Sequence, residues 1–211
     1  MVGSTARVYR SELRARQARE TRARIIAAAG ELFAQQGYQA TTIAAIARMA
    51  GVSGETVKSA ASKAELLIAA FEMTFSGREG AASLTDTEVA GGVLDLPDDL
   101  FLDAVLTRIT EANARGHRLW TVLLGAALSD GRVDEVLTRI LHRRTDDYRR
   151  LVDELITRGL AVAKHDPQTT AAALSFLLSP ESYQQLVTQS GWDRDTYMQW
   201  LRAAVATELG R

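Results

Sequence analysis

Between Thr41 and Lys63 the chain strings together short polar and charged side chains suited to contacting a polyanion: Thr41, Thr42, Ser53, Gly54, Glu55, Thr56, Lys58, Ser59 and Lys63. Hydroxyls and backbone N–H groups at helix starts donate to phosphate oxygens, and a lysine ammonium meets phosphate as a point charge. A glutamate can accept from cytosine N4, and a threonine methyl can touch a thymine methyl. Thr42 and Lys63 are therefore candidates for phosphate contact, Glu55 and Thr56 for base contact. Arg24 closes a cluster with Arg7, Arg10, Arg14, Arg16, Arg19 and Arg22, opposed locally only by Glu12 and Glu20. Residues 1–75 hold ten Lys/Arg against six Asp/Glu, a charge of +4, while residues 76–211 hold fifteen against twenty, a charge of −5. A basic head on an acidic body fits a head that faces nucleic acid.

The same residues exclude other chemistries. The chain has 0 Cys, which removes disulfides, thiolate zinc sites and a cysteine nucleophile. No serine elbow, phosphate loop or dinucleotide fingerprint occurs, so no enzymatic activity is expected. His142 and Asp146 stand four apart without a third ligand in view, so neither metal nor cofactor is expected. No apolar run approaches the ~18 residues of a membrane span, and Glu31 interrupts Ile25–Ala29 too early for a signal peptide, so a cytoplasmic protein without a membrane partner is expected.

Holding the polar residues in place is a task for helices. The composition is 46% hydrophobic, with 3 Pro and no sustained alternation of β-branched residues, and it reads as all-α. Residues 1–17 read as a flexible basic arm, 18–62 as a DNA-binding domain, and 63–211 as a second helical domain. Ile25, Ile26, Ala29, Leu32 and Phe33 recur at helical spacing within a helix predicted over 18–36, which Gly37 should end. Thr41 or Thr42 can cap a helix over 43–50, Ser53 one over 54–60, and Ser62 with Glu65 one over 63–76. Gly77, Gly80, Gly91 and Gly92 mark a loop over 77–97. Further helices are predicted over 98–114, 117–129, 133–158, 168–189 (broken at Pro180) and 194–209.

The central pair of short helices has the requirements of a helix-turn-helix. Ala47 allows close approach, Gly51 can adopt the positive φ of a tight turn, and Ile43, Ile46, Ala50, Val52, Val57 and Ala60 can meet a core. That leaves Gly54, Glu55, Thr56, Lys58 and Ser59 outward, free to enter a major groove.

Here the residues resemble a known family. Arg22 to Leu67 is similar to the DNA-binding domain of TetR-family repressors, through Arg24-Ile25-Ile26-Ala27-Ala28-Ala29, Leu32-Phe33, Gly37-Tyr38, Thr41-Thr42-Ile43, Ile46-Ala47, Ala50-Gly51-Val52-Ser53, Thr56-Val57, Lys63 and Glu65-Leu66-Leu67. Lys58 stands where the family usually carries an aromatic residue, and Ala61 where it carries Phe. The resemblance implies a homodimer on a palindromic double-stranded DNA operator, paired through C-terminal helices about 168–209. Candidate pairing positions are Leu174, Leu178, Tyr183, Leu186, Val187, Tyr197, Trp200, Leu201 and Val205. It also implies a pocket for a small apolar or amphipathic effector that releases the DNA. Aromatic and aliphatic candidates for that pocket are Phe71, Phe75, Phe101, Val105, Ile109 and Trp120, followed by Leu124, Tyr148, Leu151 and Phe176. Asn113, His117 and Tyr148 are its candidate polar anchors.

Two alternatives stay open at this point. A DNA-binding regulator without a small-molecule switch would lack an apolar cavity in the second domain. A helical interaction module would bury Glu55, Thr56 and Lys58.

Overall fold

The computed structural model describes residues 3–80, 83–87, 89–162 and 165–210, and the side chains of residues 3–11 and 84 lie outside the described set. Among the described residues the chain is helical, with no strand. It divides into two compact units, Met1–Ala70 and Phe71–Arg211.

The first unit holds α1 (Gly3–Ala40), α2 (Ile43–Ala50), α3 (Gly54–Ala60) and the start of α4 (Lys63–Ser76). Its core is the apolar stripe of α1 (Ile25, Ile26, Ala29, Leu32 and Phe33) together with Ile46, Ala47 and Ala50 of α2, Val57 of α3, and Leu66 and Leu67 of α4. Burying each large side chain contributes about 1.5–3 kcal/mol. One boundary of α1 differs from the sequence expectation and one agrees with it. Helix α1 begins at Gly3 rather than about Ala18, so the basic segment from residue 3 onward is helical. Regular helix breaks at Gly37, as expected, where φ 80° and ψ 177° are open essentially to glycine alone.

The second unit holds the last residues of α4, then α5 (Asp98–Ala127), α6 (Gly131–Thr157), α7 (Pro167–Leu177), α8 (Pro180–Tyr183) and α9 (Arg194–Glu208). Helix α5 is continuous, which corrects the two helices expected over 98–114 and 117–129. Gly116 is not a break. A Cβ at Gly116 would lie 3.1 Å from Phe75 Cδ2, so the glycine admits the close approach of that ring. Pro180 does divide the predicted 168–189 helix, and the chain continues past Tyr183 as a π-wound turn, Gln184–Gln189. The Gly-rich stretch forms turns with a short 3₁₀ segment at Leu84–Asp86, and it buries Val89 and Val93 in the core with Phe101, Tyr148, Leu174 and Leu201. Among the described residues no helix is long and apolar enough to cross a membrane.

Candidate functional site

Local hydrogen bonding explains the shape of the α2–α3 hairpin. Thr42 is extended, and its hydroxyl accepts from Ala45 N–H at 3.1 Å, capping α2. At the other end Gly51 turns into the left-handed region (φ 66°, ψ 40°). Its N–H reaches Arg48 O, and Val52 N–H reaches Ala47 O at 3.0 Å, which closes the helix as a Schellman turn. Ser53 then caps α3, accepting from Thr56 N–H at 3.0 Å, and α3 ends at Ala60 with Ala61 buried behind it. Ser62 and Glu65 form the expected reciprocal cap of α4, with Ser62 N–H donating to Glu65 Oε2 at 2.9 Å.

This hairpin sets out a polar face. Ser53, Glu55, Thr56, Lys58 and Ser59 are exposed and Gly54 is half-exposed, while Val57 alone of α3 is fully buried. Lys58 Nζ lies 2.9 Å from Glu55 Oε1, with side-chain exposures of 63% and 82%. A pair this exposed contributes about 0–1 kcal/mol, so either partner can exchange the other for a base edge or a phosphate. Lys63 stands at the first position of α4, 4.4 Å over the Tyr38 ring and 3.4 Å from the Gln39 carbonyl. Arg24 on α1 and Thr42 at the start of α2 are exposed as well. Thr41 is a correction: it is 1% exposed, and its hydroxyl donates to Gly37 O at 2.8 Å, closing the α1–α2 turn instead of facing a ligand. Arg22, left among the basic cluster by the sequence reading, donates to Ala60 O at 2.9 Å and ties α1 to the end of α3.

Two cavities among the described residues of the second unit bear on the expected pocket. One, of about 90 Å³, is walled by Phe71, Phe75, Trp120 and Tyr148 together with the charged Arg144 and Asp147. The other, of about 260 Å³, is walled by Phe101, Val105, Ile109, Tyr148 and Leu151, and by Val89 and Val93 from the turn region. Eight of the twelve expected pocket residues thus line one or the other. Burial raises the Tyr148 hydroxyl above the usual tyrosine range, so it stays a neutral donor.

Four expected pocket residues line neither of these cavities. Phe176 is 66% exposed and so cannot enclose a ligand within this chain. Leu124 is half-buried on α5. Asn113 Nδ2 donates to Leu178 O at 2.9 Å, holding the carbonyl at the α7–α8 break. His117 Nδ1 lies 3.1 Å from Asn113 O and its Nε2 3.3 Å from Thr188 Oγ1, with the ring 5.3 Å from Tyr183. Both side chains therefore serve structure: His117 has a partner at each ring nitrogen, and Asn113 is held through Nδ2 while its Oδ1 has no partner. The sequence reading also missed the charged wall. Arg143, Arg144, Asp147 and Arg150 fall at spacings of three and four on α6 beside Tyr148 and Leu151, a pattern that was there to be read.

The expected pairing positions split as well. Leu174, Leu178, Tyr197, Leu201 and Val205 are at most 2% exposed inside this chain, which corrects their assignment to an interface. Tyr183, Leu186, Val187 and Trp200 are partly buried and keep some surface. His142 and Asp146 are both exposed, and no group of three metal-ligating side chains occurs among the described residues.

Comparison with known proteins places the hairpin. The sequence model for "Bacterial regulatory proteins, tetR family" matches residues 25–70. No protein of curated function matches the chain in sequence. Similar solved structures include a candidate transcriptional regulator from Pseudomonas aeruginosa PAO1, at 19% identity, TM-score 0.69 and 90% coverage of each chain. They also include the fatty acid degradation regulator FadR from Bacillus halodurans, at 20% identity and TM-score 0.65, covering 89% of this chain and 94% of that one. NalD, the secondary repressor of the MexAB-OprM multidrug efflux pump in Pseudomonas aeruginosa, aligns at 22% identity and TM-score 0.66, covering 92% and 97%. At these identities the likeness concerns the fold.

Proposed function

We infer that this chain, whose residues 25–70 match the tetR-family model, is a DNA-binding transcriptional regulator of that kind, a repressor working as a homodimer on a palindromic operator and released by a small amphipathic effector. The observation that carries this reading is the capped α2–Gly51–α3 hairpin, which leaves Glu55, Thr56, Lys58 and Ser59 exposed together on one short helix. Their exposure also disfavours a helical interaction module that would bury them. In this reading α3 enters the major groove. Glu55 and Thr56 read base edges, Lys58 and Ser59 flank them, and Thr42, Arg24 and Lys63 hold the backbone. One such helix contacts few base pairs, and a twofold pair of chains doubles the contact on a palindrome. The effector reading is supported by the 260 Å³ cavity, which a regulator without a switch has no use for. Helix α4 carries Lys63 at its start and Phe71 and Phe75 at its end, so one element bears both a phosphate-facing group and a cavity wall. An effector acts by binding one conformation better than the other.

The test is a mobility-shift titration of the purified chain against DNA fragments flanking its own reading frame, at several salt concentrations. A salt-sensitive shift on at least one fragment is expected, and absence of any shift at low salt would refute DNA binding. Selection from randomised operators with Glu55→Gln should change the preference at one base position per half-site, and an unaltered preference would remove Glu55 from the readout.

A further inference from the structure

We propose that the effector is an elongated amphipath whose apolar body fills the 260 Å³ cavity and whose head presents a hydrogen-bond-accepting oxygen to Trp120 Nε1 and Arg144 Nη1 in the adjoining 90 Å³ cavity. The inference rests on the ligand-responsive reading above and gives that reading its ligand class.

The two cavities adjoin at Asp147 and Tyr148, which wall both, and the proposed ligand would pass the Tyr148 side chain to occupy the two together. The larger is bounded mainly by hydrocarbon, from Val89, Val93, Phe101, Val105, Ile109 and Leu151. An apolar cavity of about 150 Å³ already accepts benzene, so this one has room for a longer hydrocarbon body.

The smaller cavity sets the head. Its carboxylates already have partners. Glu72 accepts from Gly80 N–H at 2.8 Å and lies 3.9 Å from Arg143. Asp147 accepts from Ser83 Oγ at 2.6 Å and pairs with Arg150. Neither of these lining carboxylates calls for a cationic or donor head, and Glu181, whose buried Oε2 also lacks a hydrogen-bond partner, stands behind Arg144 and outside the lining. The donors are in the opposite condition. Trp120 is 1% exposed and its Nε1 has no hydrogen-bond acceptor in the protein. Arg144 lies with its guanidinium 5.4 Å over the Trp120 ring; its Nη1 is buried and stands 3.6 Å from Glu181, an ion pair beyond hydrogen-bond reach. The Tyr148 hydroxyl is a third donor, at a marginal 3.5 Å from Leu178 O. A buried N–H without an acceptor is costly, and a ligand oxygen would satisfy it. An ammonium head would instead face a guanidinium and an unpaired N–H.

The test is calorimetric titration of the full chain with three probes built on a ten-carbon chain: decanoate, 2-decanone and decyltrimethylammonium. The two acceptor-bearing probes should bind at least tenfold tighter than the ammonium, and their ratio reports whether a carboxylate or a neutral carbonyl fits better. Trp120→Phe, which keeps the ring bulk and removes the N–H, should weaken both acceptor probes about fivefold. Val105→Trp, which fills the larger cavity, should abolish binding. If Trp120→Phe does not fold, Arg144→Gln carries the same expectation. Equal or tighter binding of the ammonium, indifference to Trp120→Phe, or no binding of either acceptor probe would overturn the proposal. Anisotropy of an operator duplex separates it from the reading beneath. Trp120-dependent binding that leaves DNA affinity unchanged sustains the ligand class and refutes the switch. DNA binding without acceptor-probe binding refutes the ligand class alone.

Discussion

Replacing Gly51 probes the bend on which the hairpin depends. Gly51 sits at φ 66° and ψ 40°, and a Cβ built there meets nothing within 4 Å. The cost of Gly51→Ala is therefore backbone strain alone, without a steric clash. An L-residue in the left-handed region costs roughly 1–2 kcal/mol. Alanine also narrows the unfolded ensemble, which offsets roughly 0.4–1 kcal/mol. The net loss should be about 1 kcal/mol, a Tm drop of about 2–4 °C for a chain of this size. Asparagine visits the left-handed region more readily, so Gly51→Asn should lose less, and β-branched Gly51→Val should lose most. Thermal and urea denaturation followed by circular dichroism would give the order Gly, Asn, Ala, Val. Gly37→Ala should exceed Gly51→Ala, because φ 80° with ψ 177° is closed to other residues rather than merely disfavoured. DNA affinity should fall in Gly51→Ala beyond what the lost stability explains, since the turn sets the pose of α3. A neutral or stabilising Gly51→Ala, or an Asn variant worse than Ala, would refute the reasoning.

Three further predictions follow from single contacts. Lys63→Ala should weaken DNA binding about equally for all sequences and make the log–log salt slope shallower by about 0.9 for each phosphate lost; an unchanged slope would remove Lys63 from the backbone contacts. Asn113→Ala should destabilise by about 1 kcal/mol, the low end of the cost of stranding a buried carbonyl such as Leu178 O, because Asn113 Oδ1 is itself unpartnered; denaturation showing no loss would dismiss that contact. Asp193 caps α9 by accepting from Thr196 N–H at 2.7 Å, and that bond holds its carboxyl below the usual range. Its stabilisation is therefore complete above the unfolded value of about 4 and disappears as pH falls through the folded one, so the Tm advantage over Asp193→Ala should be flat above about pH 5 and shrink in acid; an advantage that persists in acid would contradict the linkage.

The legible and illegible parts of this chain divide by the range of the interactions that set them. The hairpin could be read because its determinants are local. Thr42, Gly51, Ser53 and the Ser62–Glu65 pair each act on backbone within a few residues, and each does in the structure what its type and position predict. The failures are positions where a distant partner decides. Gly116 punctuates a sequence, but Phe75 from another helix explains it as a packing residue inside a continuous α5. Val89 and Val93 lie in a Gly-rich stretch that local signals assign to solvent, yet the core takes them. Phe176 shares the helical spacing of core residues, and only the placement of α7 shows that its face is open. Thr41 and Thr42 are the sharpest case. Two identical residues offer the same cap, and the structure separates them because Gly37, four residues back, leaves a carbonyl pointing at one of the two. Composition shows neither which threonine faces outward nor which aromatic residues wall a cavity. Both depend on how helices far apart in sequence stack, and for the same reason the charged wall of α6 acquires meaning only once Trp120 lies under Arg144.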